Sequence, residues 1–401
     1  MVAPSQPRDF WRVNSYGYPN PFNPDVKSQE AWATFRSFYE RDRGSYSSLK
    51  TFWESHEAHR KLDSHAVESW KATFEEFGLL YVISRSNTIT ITPAGKQFHD
   101  AAERNRERDF VWTGLNLLHR YPVQGPPRGR SKSAAHGKAD ILPYRFLHSA
   151  MRDLGNYFWW TELERILCCV FSTCEAQRAI EAVHRLRQNP SGLNGYPLPA
   201  DKRKGAFYNS LNQVANHAGM NHLVLGQDDN SQLYGPNESR RRHYINRDYL
   251  ALVSAALGDL QITTDCGSSA MYVDRLPTAP AFTDELRYFE YLGAAVPDLG
   301  AARAAPQAVT IAGDTVFFLR SGEHFESVSA DENARTIQGK TLTLCRIARN
   351  QRVILSTDIS WTYFVVGKDL AGPNTVRLAL RRARPIINME PVEKLFGGDD
   401  G

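Results

Sequence analysis

The sequence predicts an α+β chain: two helical modules, each closed by a hairpin, followed by a β-rich C-terminal domain. Three observations predict it. A helix–helix–helix–hairpin pattern occurs twice, at 29–102 and 141–257. A proline- and glycine-rich basic stretch, 121–140, lies between the two. From about residue 277 the texture changes to short alternating runs separated by turn residues.

Length and composition set the limits. The chain has 401 residues, enough for two to three domains of about 100–200 residues each. Hydrophobic residues make up 42% and aromatics 11%, too much apolar surface for a disordered chain. No apolar run reaches the ~18 residues of a membrane span, and residues 1–10 lack the charged start and apolar stretch of a secretory signal. The chain is therefore read as cytoplasmic, with no membrane partner. Five cysteines, three of them clustered as Cys168, Cys169 and Cys174 with Cys266 and Cys345 apart, lack zinc-ligand spacing and read as reduced thiols. The net charge of +4 is compatible with nucleic acid without singling it out.

In the first module Trp32, Phe35, Phe38 and Tyr39 form one helical stripe, and Leu49, Phe52 and Trp53 a second. Asp63 or Ser64 caps a third helix carrying Val67, Trp70, Phe74 and Phe77, which Gly78 ends. Residues 79–83 and 88–92 are the two strands of a hairpin, with Ser84, Arg85, Ser86 and Asn87 in its turn. Pro93 opens the next helix. This is the layout of a winged helix, assigned to 20–120.

The second module, 141–260, repeats it. Pro143 opens a helix bearing Phe146, Leu147, Ala150 and Leu154, and Gly155 ends it. Thr161 caps 162–171, and Ser172 or Thr173 caps 175–188. After a loop at 189–199, residues 207–218 form a helix, 222–225 a strand, and Asn246 caps a closing helix to 257. The C-terminal domain, 277–395, is expected as a small barrel or curled sheet, with strands at 308–311, 315–319, 341–347, 353–356, 361–366, 376–380 and 384–387.

Cationic residues fall at the edges of these modules. The linker carries Arg128, Arg130, Lys132 and Lys138, which can follow a phosphate backbone and release condensed counterions; a soluble basic loop fits the linker equally well. Lys202, Arg203 and Lys204 precede the helix at 207–218, and Arg240, Arg241, Arg242 and His243 stand where the second wing returns. Such positions meet phosphates in a winged helix. A fourth cluster, Arg377, Arg381, Arg382 and Arg384, belongs to the C-terminal domain. Any one cluster is explained by a solvated face; three of the four at the expected edges favour DNA.

Asn212, Gln213, Asn216 and His217 stand on the helix placed in the major groove, where Asn and Gln can pair bidentately with adenine. A polar solvent face is the competing explanation. In the first module His65, Glu68, Ser69, Lys71 and Ala72 form the outward face of the recognition helix, with Arg85 in the hairpin turn. Tyr81, Trp112, Trp159 and Trp160 read as core aromatics.

Catalytic motifs are few. GxxxxGK[ST], GxSxG and HExxH do not occur. A magnesium-dependent nuclease needs two carboxylates and a lysine around its metal, and no strand after residue 250 carries that triad. Asp314, Glu323, His324 and Glu326 are a loose polar group. No cofactor is expected, and magnesium only for a nuclease.

Three runs carry a resemblance: EEFGLLYVISRSNTITITPAGKQF (75–98), RDFVWTGLNLLHRYPVQGP (108–126) and ILPYRFLHSAMRDLGNYFWWTELERILCCVF (141–171). They resemble the recognition region of type IIS restriction and nicking endonucleases of the AlwI kind. The segments 214–225 and 244–257 are similar to that family's second wing and closing helix, so the resemblance covers about residues 20–257. It implies recognition of an asymmetric DNA site by tandem winged helices. In that family a separate C-terminal PD-(D/E)xK domain cuts nearby; the C-terminal region here is shorter, β-rich and without the triad.

The expectation is a double-stranded DNA recognition protein of a restriction or phage-defence system. Its C-terminal domain would read a modified base, dock a nuclease or motor subunit, or mediate self-association. The rivals are a divergent magnesium-dependent endonuclease and a winged-helix protein-interaction module.

Overall fold

A computed structural model of the chain describes residues 9–12, 21–22, 30–55, 66–83, 85–104, 106–126, 134–199, 204–220, 223–258, 272–297, 299, 307–311, 314–319, 324–328, 331, 333–340, 344, 347–372 and 375–386. The chain is α+β, with a C-terminal sheet domain.

The first module contains α1 (Glu30–Tyr39), α2 (Tyr46–Ser55), α3 (Ala66–Glu76), β1 (Leu80–Ile83) and β2 (Thr88–Ile91). Its aromatic stripes meet as expected: Phe35, Phe38, Trp70, Phe74 and Phe77 are buried, and the Phe35 and Phe74 rings pack edge to face at 5.2 Å. Gly78 leaves α3 at φ +70°, a conformation that costs glycine no Cβ clash. The expected caps Asp63 and Ser64 lie outside the described residues. Ser45 forms an antiparallel bridge to Thr88, while Thr88 also faces Ile83. β2 therefore runs between β1 and the Ser45 segment.

Next come α4 (Pro93–Glu103) and α5 (Glu107–Leu118). Pro93 opens α4, and the Thr92 hydroxyl accepts the Gly95 N–H at 2.9 Å. The expected flexible linker is corrected at both ends. Tyr121, Val123, His136 and Ala139 are buried, and a short helix α6 (Ala134–Gly137) holds His136, whose Nε2 accepts the Arg12 N–H at 3.0 Å. A few apolar residues suffice to pin a loop whose ends lie over a core.

The second module runs α7 (Pro143–Asp153), β3 (Tyr157–Trp159), α8 (Trp160–Arg165), α9 (Thr173–Gln188), α10 (Lys204–Gly219), β4 (Val224–Asp228), β5 (Arg241–Ile245) and α11 (Leu250–Ala256). Its sheet has the order β3-β5-β4, antiparallel throughout. Two expectations are corrected. The helix after β3 starts at Trp160, and Glu162 rather than Thr161 closes it by accepting the Trp159 N–H at 2.9 Å. It ends at Arg165 and yields to a 3-10 turn at Leu167–Cys169, not a helix to 171. α9 begins at a Ser172–Glu175 capping box: of the two expected caps, Ser172 is the one, and Thr173 is the first helical residue.

α12 (Glu285–Leu292) precedes the sheet domain: β6 (Gln307–Ile311), β7 (Asp314–Leu319), β8 (His324–Val328), β9 (Ala334–Lys340), β10 (Arg352–Leu355), β11 (Asp358–Gly372) and β12 (Thr375–Pro385). The order is β6-β7-β10-β11-β12-β9-β8, with β10 and β7 parallel and the other pairs antiparallel. Among the described residues this is an open sheet, not a barrel, since β6 and β8 are its two edges. Residues 344 and 347 are not in a strand; Leu344 and Ile347 are buried beneath the sheet. The strands expected at 376–380 and 384–387 are one strand, β12.

One apolar cluster runs from Phe10 to Val296 and joins both modules. The N-terminal segment contributes Phe10, packed on Phe207 at 4.7 Å, and Trp11, packed on Phe146 at 5.9 Å. A second cluster lies between α12 and the inner face of the sheet. Among the described residues no helix is long and apolar enough to cross a membrane.

Candidate nucleic-acid interface

α10 is amphipathic. Phe207, Leu211, Val214 and Ala218 are buried at helical spacing, so the opposite face is left to Tyr208, Asn209, Asn212 and Asn216, all exposed, with Gln213 half-buried. Asn209, Asn212 and Asn216 fall at i, i+3 and i+7, one line of amides. Sequence reasoning found Asn212, Gln213 and Asn216 but missed Tyr208 and Asn209; the same spacing would have shown them. His217 does not belong to this face. It is buried, with its Nδ1 2.9 Å from the Tyr144 hydroxyl, and burial holds its pKa at about 3.

Beside α10, the loop from Asp229 to Arg240 joins β4 to β5 and is tied down along its length. Tyr234 donates to Glu162 at 2.5 Å, Arg165 pairs with Glu238 at 2.6 Å, and Asp229 pairs with Arg242 at 3.4 Å. Glu162 anchors the loop because Arg187 holds its carboxylate bidentately at 2.7 and 2.8 Å. Arg240 and Arg241 are exposed at the end of this loop. Asp228 faces Arg241 across the ladder.

The run 240–243 is not one cationic edge. Successive strand residues point to opposite faces. Arg242 therefore lies over the Tyr157 ring at 5.3 Å and pairs with Asp229, while Arg241 points the other way. His243 is buried between Phe158 and Trp160, and burial lowers its pKa to about 4, so it is neutral at physiological pH.

The first module offers less. Lys71 pairs with Glu75 at 3.2 Å and lies over the Tyr46 ring at 5.5 Å, and Glu68 pairs with Lys50 at 2.6 Å. The expected outward face of α3 is thus an internally neutralised one, and Lys71 is not offered to a partner. Arg85 is exposed in the hairpin turn. Lys138 is exposed beyond α6. Arg128, Arg130, Lys132, Lys202, Arg203 and His65 lie outside the described residues, as does the side chain of Lys204. Tyr81 is half-buried and stacks on Phe289 at 5.5 Å; Trp112 and Trp159 are buried.

Of the loose polar group, His324 stands 2.9 Å from Glu326, to which the Thr357 hydroxyl also donates. Glu323 and the Asp314 side chain lie outside the described residues. Among the described residues, no three His, Cys, Asp or Glu side chains gather as a metal would require. Cys168 and Cys169 approach at 3.9 Å without bonding, while Cys266 and Cys345 lie outside the described residues. Compared with protein-family models and with curated proteins, the chain matches none.

Proposed function

We propose that the chain binds double-stranded DNA, as the recognition component of a restriction or phage-defence system, chiefly through its second module. The reading takes α7, β3, α8, α10, β4 and β5 as a winged helix into which α9 is inserted. What supports it is the sheet order, first–third–second (β3-β5-β4), with the loop before β5 as the wing. The first module repeats that order in miniature, with Ser45 in the place of the first strand.

The observation that carries the reading is the uncharged amide line on α10 beside an anchored wing ending in Arg240 and Arg241. Amides read base edges, and arginines hold phosphates without reading sequence. The first module contributes Arg85 to the backbone, not a base-reading helix.

The test is duplex binding by the intact protein across a salt series. Arg240→Ala with Arg241→Ala should weaken all sequences alike and flatten the log–log salt slope by about 2. Asn212→Ala with Asn216→Ala should instead reduce discrimination among sequences, by about 1–3 kcal/mol for each bidentate amide–base pair removed. Unchanged duplex binding in both variants would reject this surface. Nicking of a supercoiled plasmid on adding magnesium would favour the endonuclease instead.

A further inference from the structure

The sheet domain has an outer face that its own cores leave uncovered. On the inner face Tyr363, Val365, Val376, Leu378 and Leu380 pack toward α12. Among the described residues the opposite face is covered only at the β7–β10 end, where Val316, Phe318 and Ile354 meet Ile359 and Ile386. From β10 toward β8 exposed side chains (Phe364, Val366, Arg377, Arg381 and Phe325) alternate with half-buried ones (Arg352, Gln338 and Asp369). Three of the chain's exposed large hydrophobic residues stand there: Phe325 at 83%, Val366 at 56% and Phe364 at 36%. They do not form one apolar patch, because arginines alternate with them.

The register shows the arrangement. Arg352, Phe364 and Arg381 are cross-strand partners on β10, β11 and β12, so they stand in one row at the ~4.8 Å spacing of neighbouring strands. The Arg352 guanidinium lies over the Phe364 ring at 5.0 Å, and Arg381 is exposed on the other side. A second row holds Phe325, Gln338 and Arg377 on β8, β9 and β12. Arg377 is followed by its 3.7 Å ion-pair partner Asp369 on β11. Among the described residues of the two rows stand three guanidinium groups and one carboxylate, Asp369, which Arg377 holds.

We propose that this face binds a single-stranded nucleic acid. Its bases would lie on Phe364, Phe325 and the Arg352 guanidinium plane, and its phosphates on Arg377 and Arg381. A protein partner would match the exposed rings but not the guanidinium groups interleaved with them. A duplex would match the charge but not the rings, because its base faces are hidden in its own stack. A splayed strand presents planar bases and anionic phosphates in alternation, the complement of these rows. The two aromatic positions lie on strands three apart, so the footprint exceeds a single nucleotide.

This inference is independent of duplex binding by α10 and its wing. The experiment is fluorescence anisotropy of labelled oligothymidine and oligouridine with the full-length protein, competed by unlabelled strand or by duplex. Phe364→Ala should weaken strand binding roughly tenfold or more. Phe364→Trp should retain affinity, and its added fluorescence should be quenched on binding. Arg377→Ala with Arg381→Ala should flatten the salt dependence. Arg240→Ala with Arg241→Ala should leave strand binding unchanged, so failure of one reading is distinct from failure of the other. No strand binding by the wild type, equal affinity of the Phe364→Ala variant, or displacement by duplex as effective as by single strand would overturn the proposal.

Discussion

His148 and His119 share a buried hydrogen bond of 2.8 Å, and His148 Nε2 lies 2.9 Å from the Ala218 carbonyl. A carbonyl only accepts, so His148 carries its proton on Nε2 and accepts from His119 at Nδ1. Both rings are then neutral, and burial is the reason: it lowers His148 to about 4 against 6.5 for a free imidazole, and His119 well below that value. With His217 at about 3 and His243 at about 4, four imidazoles are held uncharged. The unfolded chain takes up these protons first. The stability they confer is therefore complete above pH 6.5 and is lost as the pH falls through the folded values. Three buried carboxyls act the other way: burial raises Glu75 above the ordinary carboxylate range, Asp153 to about 6 and Glu164 to about 7, and their contribution, complete below the ordinary carboxylate range, is lost as the pH rises through their folded values. Four imidazoles, each held neutral by burial, outweigh three carboxyls. The urea midpoint should fall steadily from about pH 6.5 to about pH 4, by several kcal/mol in free energy. A midpoint that is flat or rising over that interval would refute the neutral assignment.

Elements are fitted together by backbone approaches that allow no side chain. A Cβ at Gly95 in α4 would stand 2.0 Å from the Leu79 carbonyl oxygen, and one at Gly293, after α12, would stand 2.3 Å from Thr92. Gly95→Ala should therefore cost about 1–3 kcal/mol or more, read as a lowered thermal midpoint. Gly137→Ala, with nothing within 4 Å of the added atom, should be close to neutral. The stripes that make these helices are legible, because a large aromatic every three or four residues has few other uses; α3 carries Val67, Trp70 and Phe74 inward as expected, whereas the choice between Ser172 and Thr173 as the cap of α9 is made only by the fold. β3 was hidden because three aromatic residues between two helices carry no alternation. β8 and β9 were hidden because their faces mix Glu, Ser, Arg, Thr and Gln with few apolar residues. On the candidate interface, the amide line was half legible. The fate of the arginines was not: pairing of Arg242 with Asp229, or Lys71 with Glu75, depends on register and neighbours that spacing does not specify.

At the scale of the molecule, α12 and its flanks bind the parts together. Arg120 is buried and donates to the carbonyls of Leu292, Ala294 and Ala295. Gln97 exchanges two hydrogen bonds with the Val296 backbone at 2.6 and 3.0 Å, and Trp112 donates to the Pro297 carbonyl at 2.8 Å. The same helix sends Tyr288, Phe289 and Tyr291 into the core beneath the sheet. Helix and sheet domains thus share one element, and the two helical modules share one core. Loss of either core strips α12 of half its packing, so the parts should unfold together. All tryptophans except Trp361 precede residue 161, so indole fluorescence reports chiefly on the helical modules, while far-ultraviolet circular dichroism also reports on the sheet. The two denaturation curves should superimpose. Leu292→Ala, deleting a fully buried side chain, should shift both by the same ~2–5 kcal/mol. Separate transitions, or a shift in one curve alone, would mean that the sheet domain folds independently of the helix beneath it.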